Sequence, residues 1–119
     1  QYFSAEYLLE LEIVIGQWVS EQCYLEADCT LIQLSVRIGV PYHHLSYYFN
    51  YVKKEKFVDW RNGLRIGYAC QLMQEGKSKT LTMEAISTAC GFSSKATFYR
   101  LFKQRMGQTP SEYLEELGK

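Results

Sequence analysis

Two histidines, four cysteines and thirteen carboxylates are the groups from which this 119-residue chain could build a catalytic or metal site. Their spacing builds neither. Cys23, Cys29, Cys70 and Cys90 are separated by 6, 41 and 20 positions with no C-x-x-C pair. They read as reduced, buried small hydrophobes; a zinc site would need a tighter ligand cluster. His43 and His44 are neighbours and point about 100° apart on a helix of 3.6 residues per turn, which is poor geometry for sharing a metal. No nucleophile–histidine–carboxylate pattern and no glycine-rich phosphate loop is present, so neither an enzyme nor a bound cofactor is expected. One cluster does carry chemistry. Lys95, Arg100, Lys103 and Arg105 stand between Ser94 and Arg105 with no carboxylate among them. Arginine can read a guanine edge and lysine can hold a phosphate, so cations gathered on one exposed helix suit duplex DNA.

Total charge does not advertise that function. Thirteen basic residues balance thirteen acidic ones, and the isoelectric point is near 6.9, which excludes polyanion binding through bulk charge. The halves differ. Residues 1–60 hold four basic against eight acidic residues, a net −4, and residues 61–119 hold nine against five, a net +4. Glu10 and Glu12 interrupt the most apolar stretch before it reaches the ~18 residues a membrane helix needs. No basic stretch precedes an apolar one as in a secretory signal. The expectation is a cytoplasmic module without membrane contact, cut from a longer protein since it opens at Gln1 without methionine.

The elements that must position the cations come from a repeat. Residues 30–40 lie over residues 82–92 at an offset of 52, matching Thr30 with Thr82, Leu34 with Ile86, Ser35 with Ser87, Gly39 with Gly91 and Val40 with Phe92. After a one-residue insertion, Leu45, Phe49 and Trp60 meet Phe98, Phe102 and Tyr113. Each copy reads as helix, tight turn, helix. Thr30 caps the first helix, with Gln33 completing a capping box, and Gly39 stops it in the left-handed conformation. Tyr42 to Val52 then form a second helix with Leu45, Tyr48, Phe49 and Val52 inward. In the second copy Thr82 and Ser94 are the caps, Gly91 is the stop, and Phe98, Leu101 and Phe102 point inward. Two short helices joined by a glycine-bearing turn make a helix-turn-helix unit.

Phe57 to Glu75 reads as one helix between the copies, with Trp60, Leu64, Tyr68 and Leu72 in a stripe and Ile66, Ala69 and Met73 beside it. Ser4 to Leu25 reads as an extra amphipathic helix, and Thr109-Pro110-Ser111-Glu112 opens a last short one. The expected fold is all-α: about seven helices, two helix-turn-helix subdomains and a long linker helix. The expected division is 1–56, 57–76 and 77–119. A 19-residue linker spans roughly 28 Å against about 34 Å between adjacent major grooves on one face of DNA. With the widths of the units at its ends, the two lengths are compatible once the duplex bends somewhat.

Ile86-Ser-Thr-Ala-Cys-Gly-Phe-Ser-Ser-Lys-Ala-Thr-Phe-Tyr-Arg-Leu-Phe-Lys103, followed by Gly107-Gln-Thr-Pro-Ser-Glu-Tyr113, resembles the C-terminal signature of the AraC/XylS family of bacterial transcription regulators. Leu64-Arg65-Ile66 with Ala69 is similar to the family's linker helix. The resemblance covers about residues 30–117. It implies a monomeric module that binds specific double-stranded DNA in transcription regulation, with RNA polymerase and a sensor or dimerisation domain of the full-length protein as further partners. It also implies that the base-reading surface falls on His43, Ser46 and Tyr47 in the first unit and on Lys95, Ala96, Tyr99 and Arg100 in the second. Lys103 takes a phosphate, and Arg65 either contacts a phosphate or braces the units. The chain departs from the pattern twice, with Pro41 at the usual serine cap and Lys54 at the usual glycine. Residues 41–52 also carry no formal charge, so the second unit is expected to anchor the complex. Tyr42, Tyr47, Tyr48 and Tyr51 can serve packing or contact. The rival reading is a degenerate helix-turn-helix module used for protein–protein interaction or dimerisation, which the acidic first half and neutral total favour.

Overall fold

A computed structural model describes residues 3–119 as seven α-helices: α1 (Ala5–Ser20), α2 (Leu31–Ile38), α3 (Tyr42–Tyr47), α4 (Phe57–Gln74), α5 (Met83–Ala89), α6 (Lys95–Met106) and α7 (Pro110–Leu117). Short 3₁₀ turns follow α1 and α4, and α3 runs directly into a π-helical segment, Tyr48–Lys53. No strand occurs among the described residues. The chain forms two compact units, residues 3–24 with 28–60 and residues 25–27 with 61–119. The helix expected as a separate linker is therefore shared: its first turn belongs to the first unit and the rest to the second.

Local rules set most boundaries. The side chains of Ser4, Thr30, Thr82, Ser94 and Thr109 each accept a backbone N–H two or three residues into the helix they open, satisfying a donor that the helix cannot. At α7 the arrangement is a full capping box, with the Glu112 carboxylate accepting from the Thr109 N–H at 2.8 Å and proline in the first turn. These bonds hold the Glu112 carboxyl below its usual pKa. The first helix is shorter than expected. It ends at Ser20, because Gln22 takes a left-handed φ of 61° and turns the chain into Cys23–Leu25.

The repeat is one of backbone hydrogen bonds as well as residues. Val40 N–H donates to the Ser35 carbonyl, and Phe92 N–H donates to the Ser87 carbonyl, both at 3.1 Å. The matched hydroxyls also reach across the turn: Ser35 Oγ to the Val40 carbonyl at 2.6 Å, and Ser87 Oγ to the Ser94 carbonyl at 3.4 Å. Each turn is thus closed by the bonds a left-handed helix stop calls for.

In the first unit Leu11, Ile15 and Trp18 of α1, Leu34 of α2, and Leu45, Tyr48 and Phe49 are buried. Trp18 stacks on Trp60, and Phe49 packs against Phe57 and Trp60. Val52, expected inward, is 44% exposed. The wider i→i+5 turn of the π segment moves it off the buried stripe. In the second unit Ile66, Ala69, Cys70, Met73, Ile86, Cys90, Phe92, Phe98 and Phe102 form the core. The flanking positions of α4 go deepest, while Leu64 and Tyr68 of the expected stripe are only half-buried. All four cysteines are buried free thiols, and burial pushes the Cys90 thiol up to about 12.

Candidate nucleic-acid interface

The outward side of α6 is built by its inward side. Phe98 and Phe102 have no solvent exposure and lie one turn apart, which fixes the helix's rotation and turns positions 96, 100 and 103 the other way, with 95 and 99 along the border. Lys95, Ala96, Arg100 and Lys103 are exposed, and Tyr99 is half-buried. The Lys95 ammonium lies over the Tyr99 ring, 5.5 Å from its centre, so this pair covers the first turn with a cation seated on an aromatic face. Arg100 follows one turn after Ala96, whose methyl leaves the neighbouring surface low. Arg105 turns aside instead: a Cβ on Gly63 of α4 would stand 2.5 Å from its guanidinium.

On α3, His43 is exposed, and Ser46 and Tyr47 are half-buried. Ser46 Oγ accepts from Asn50 Nδ2 at 3.4 Å. Tyr47 is flanked by the rings of Phe3 at 5.0 Å and Tyr51 at 4.9 Å. Sequence reasoning missed the group that holds this helix. Phe3 also packs on His44, and the Tyr7 hydroxyl lies 2.6 Å from His44 Nδ1. With the ring proton on Nε2, Tyr7 donates to Nδ1. Burial, reinforced by the nearby His43, lowers the His44 pKa and favours that neutral ring. Phe3 and Tyr7 precede α3 by about forty residues, and no local spacing could have linked them to it.

Arg65, expected either to contact a phosphate or to brace the units, lies in the interior. It is 3% exposed. Nη1 donates to the Gly91 carbonyl at 2.9 Å, Nη2 donates to the Glu26 carbonyl at 2.6 Å, and the Phe92 ring lies 5.7 Å from the guanidinium. Both carbonyl bonds lie inside the second unit. Arg65 holds the turn between α5 and α6 to the segment ahead of α2.

The two departures from the family pattern take visible forms. Pro41 provides no side-chain cap for α3, and its carbonyl accepts from the His44 and Leu45 N–H groups. Lys54 has a φ of 55°, the left-handed region that glycine enters without cost.

Two helix pairs, one in each unit and each presenting a second helix with an open face, define a double helix-turn-helix DNA-binding domain. The family model that matches residues 34–116 is described as a helix-turn-helix domain, and the chain belongs to the AraC-type helix-turn-helix DNA-binding domains of transcription regulators. The TCP pilus virulence regulatory protein of Vibrio cholerae is 39% identical over 59 residues. That match takes in 50% of this chain and 20% of the relative, so the chain covers about a fifth of the relative's length. Among solved structures, the C-terminal domain of the two-component response regulator yesN from Fusobacterium nucleatum is 25% identical. It has a TM-score of 0.71 and covers 88% of this chain and 97% of that one. A transcriptional regulator with an AraC-type DNA-binding domain from Chromobacterium violaceum has a TM-score of 0.75 at 21% identity, over 93% and 97% of the two chains, and shares the fold. Among the described residues no helix is long and apolar enough to cross a membrane.

Proposed function

We propose that this chain binds a specific double-stranded DNA site in bacterial transcription regulation, with α3 and α6 entering successive major grooves. The observation that carries the reading is the outward face of α6: Ala96, Arg100 and Lys103, bordered by Lys95 and Tyr99, on a helix whose buried side is locked by two phenylalanines. Arg100 reads a base edge, Lys103 holds a phosphate, and His43, Ser46 and Tyr47 contribute a weaker, uncharged readout from α3. The module works in the cytoplasm as the DNA-binding part of a larger regulator, with RNA polymerase as a further partner. A relative named for virulence regulation and a neighbour that is the C-terminal domain of a response regulator support that placement.

Selection of bound duplexes from a random pool tests the function and yields the site. On the selected duplex, Arg100→Ala costs about 1–3 kcal/mol of specific binding, whereas Lys103→Ala weakens all sequences alike and lowers the salt slope by about one. Equal loss on specific and random DNA for Arg100→Ala removes its base-reading role. If no duplex is enriched, the protein-interaction reading takes over.

A further inference from the structure

Helix α1 is apolar on two sides. Leu11, Ile15 and Trp18 are buried in the first unit, and one such stripe is all that a surface helix needs. Leu9, Ile13 and Gly16 repeat the same spacing two residues earlier, which places them about 160° away around the helix. Leu9 is 59% exposed and Ile13 71%. Gly16 is exposed as well, and a Cβ added there would meet nothing within 4 Å. A glycine inside a helix costs stability, and no neighbour among the described residues calls for the missing side chain. A bare backbone at that position lets another helix come close from outside. Beside this stripe a groove of about 370 Å³ takes Ile13 and Val14 from α1 and Ile38 from α2.

Charge decides what can lie there. Glu6, Glu10 and Glu12 border the stripe and are exposed, and no lysine or arginine precedes Arg37 in the sequence. Arg37 lines the groove together with Glu21 but is already engaged within the chain. A second copy laid on the stripe would bring carboxylates against carboxylates, which opposes association. A helix with lysine or arginine along its edges meets opposite charge on both sides.

We infer that the outward stripe of α1 and the adjoining groove dock a basic amphipathic helix of a partner protein. Apolar residues of that helix, spaced i, i+4, i+7, cover Leu9, Ile13 and Gly16, and one of their neighbours enters the groove beside Ile38. Its basic edges face Glu6, Glu10 and Glu12. Recognition of this kind uses the apolar face for affinity and the flanking charges for choice of partner. None of these residues belongs to the readout proposed for α3 and α6, so the docking surface and the DNA reading stand or fall separately.

The test uses the whole chain without DNA and two synthetic peptides of equal length, each held helical by a side-chain staple. Both carry leucine at i, i+4 and i+7; one has lysine along the edges of that stripe and the other glutamate. Affinities come from titration calorimetry, and the amide signals of α1 are followed by NMR. The lysine-edged peptide is expected to bind about tenfold more tightly than the glutamate-edged one and to shift the amides of residues 9–16. Ile13→Glu, at an exposed position and first shown by circular dichroism to be folded, is expected to lower that affinity about tenfold. The variant adds an attractive charge, so mere attraction of a basic peptide to an acidic surface would strengthen instead. Glu10→Lys combined with Glu12→Lys is expected to reverse the preference between the peptides. Failure of both peptides to bind, equal binding of the two, or lysine-edged binding that survives Ile13→Glu overturns the inference. Self-association of the wild-type chain in sedimentation equilibrium that Ile13→Glu abolishes assigns the stripe to a second copy and overturns it as well.

Discussion

Gly91 and His44 show how much single positions decide. Gly91 combines a φ of 90° with a close approach: a Cβ there would stand 2.6 Å from the Leu25 carbonyl and 2.9 Å from the Arg65 guanidinium carbon. Both obstacles are held, one by backbone and the other by two hydrogen bonds. Gly91→Ala is expected to cost about 2–4 kcal/mol, combining left-handed strain with overpacking, and urea unfolding measures it. Gly39 has the same conformation and nothing within 4 Å of an added Cβ, so Gly39→Ala pays the strain alone and loses less. At His44 the effect depends on pH. Its folded pKa lies below the ordinary 6.5, so the unfolded chain takes up the proton more readily. Stability contributed by the neutral ring is present above 6.5 and is lost as pH falls from there toward the lowered folded value. Melting temperatures between pH 8 and pH 5 should show this decline, and His44→Asn should flatten it. A decline unchanged in that variant would assign it to other groups.

At the scale of elements, α3 is the least well-secured helix. It spans six residues, lacks a side-chain cap, passes into a π turn and ends on a lysine in the left-handed region. Its support comes instead from Phe3 and Tyr7, which hold His44 and Tyr47 from a distant part of the chain. Pro41→Ser supplies the missing acceptor and should stabilise by about 0.5–1 kcal/mol, and Lys54→Gly should add up to about 1 kcal/mol by relieving the positive φ. Tyr7→Phe should cost about 1 kcal/mol and disturb the amide signals of α3 first. The contrast with the second unit marks what was legible in sequence. Caps, glycine stops and the repeat follow rules that act over three or four residues, and the offset of 52 exposed them. The outward face of α6 was legible too, because Phe98 and Phe102 set its phase. The burial of Arg65 and the Tyr7–His44 bond depend on segments more than twenty residues apart. No local pattern encodes such pairings. The π segment escaped because its apolar spacing is still that of an α-helix.

For the whole molecule, neutrality has to be reconciled with a polyanionic partner. The first sixty residues carry −4 and the remainder +4, and residues 41–52 of the first unit bring no charge to a duplex. Positive charge facing the duplex therefore has to come from few side chains, chiefly Lys95, Arg100 and Lys103 on α6. Each neutralised phosphate releases counterions and contributes about −0.9 to the slope of log affinity against log salt. Three to five contacts give an expected slope of about −3 to −5, well short of the roughly −10 of a heavily basic repressor. The remaining affinity for the selected site has to come from base and ring contacts, which salt weakens little, so the gap between specific and random duplexes should widen as salt rises. A slope steeper than about −8 would require the acidic first unit to contribute phosphate contacts as numerous as those of the second, against its charge. A slope near zero would leave α6 without phosphates to hold. Fluorescence anisotropy on both duplexes across a fivefold range of salt separates these outcomes in one experiment.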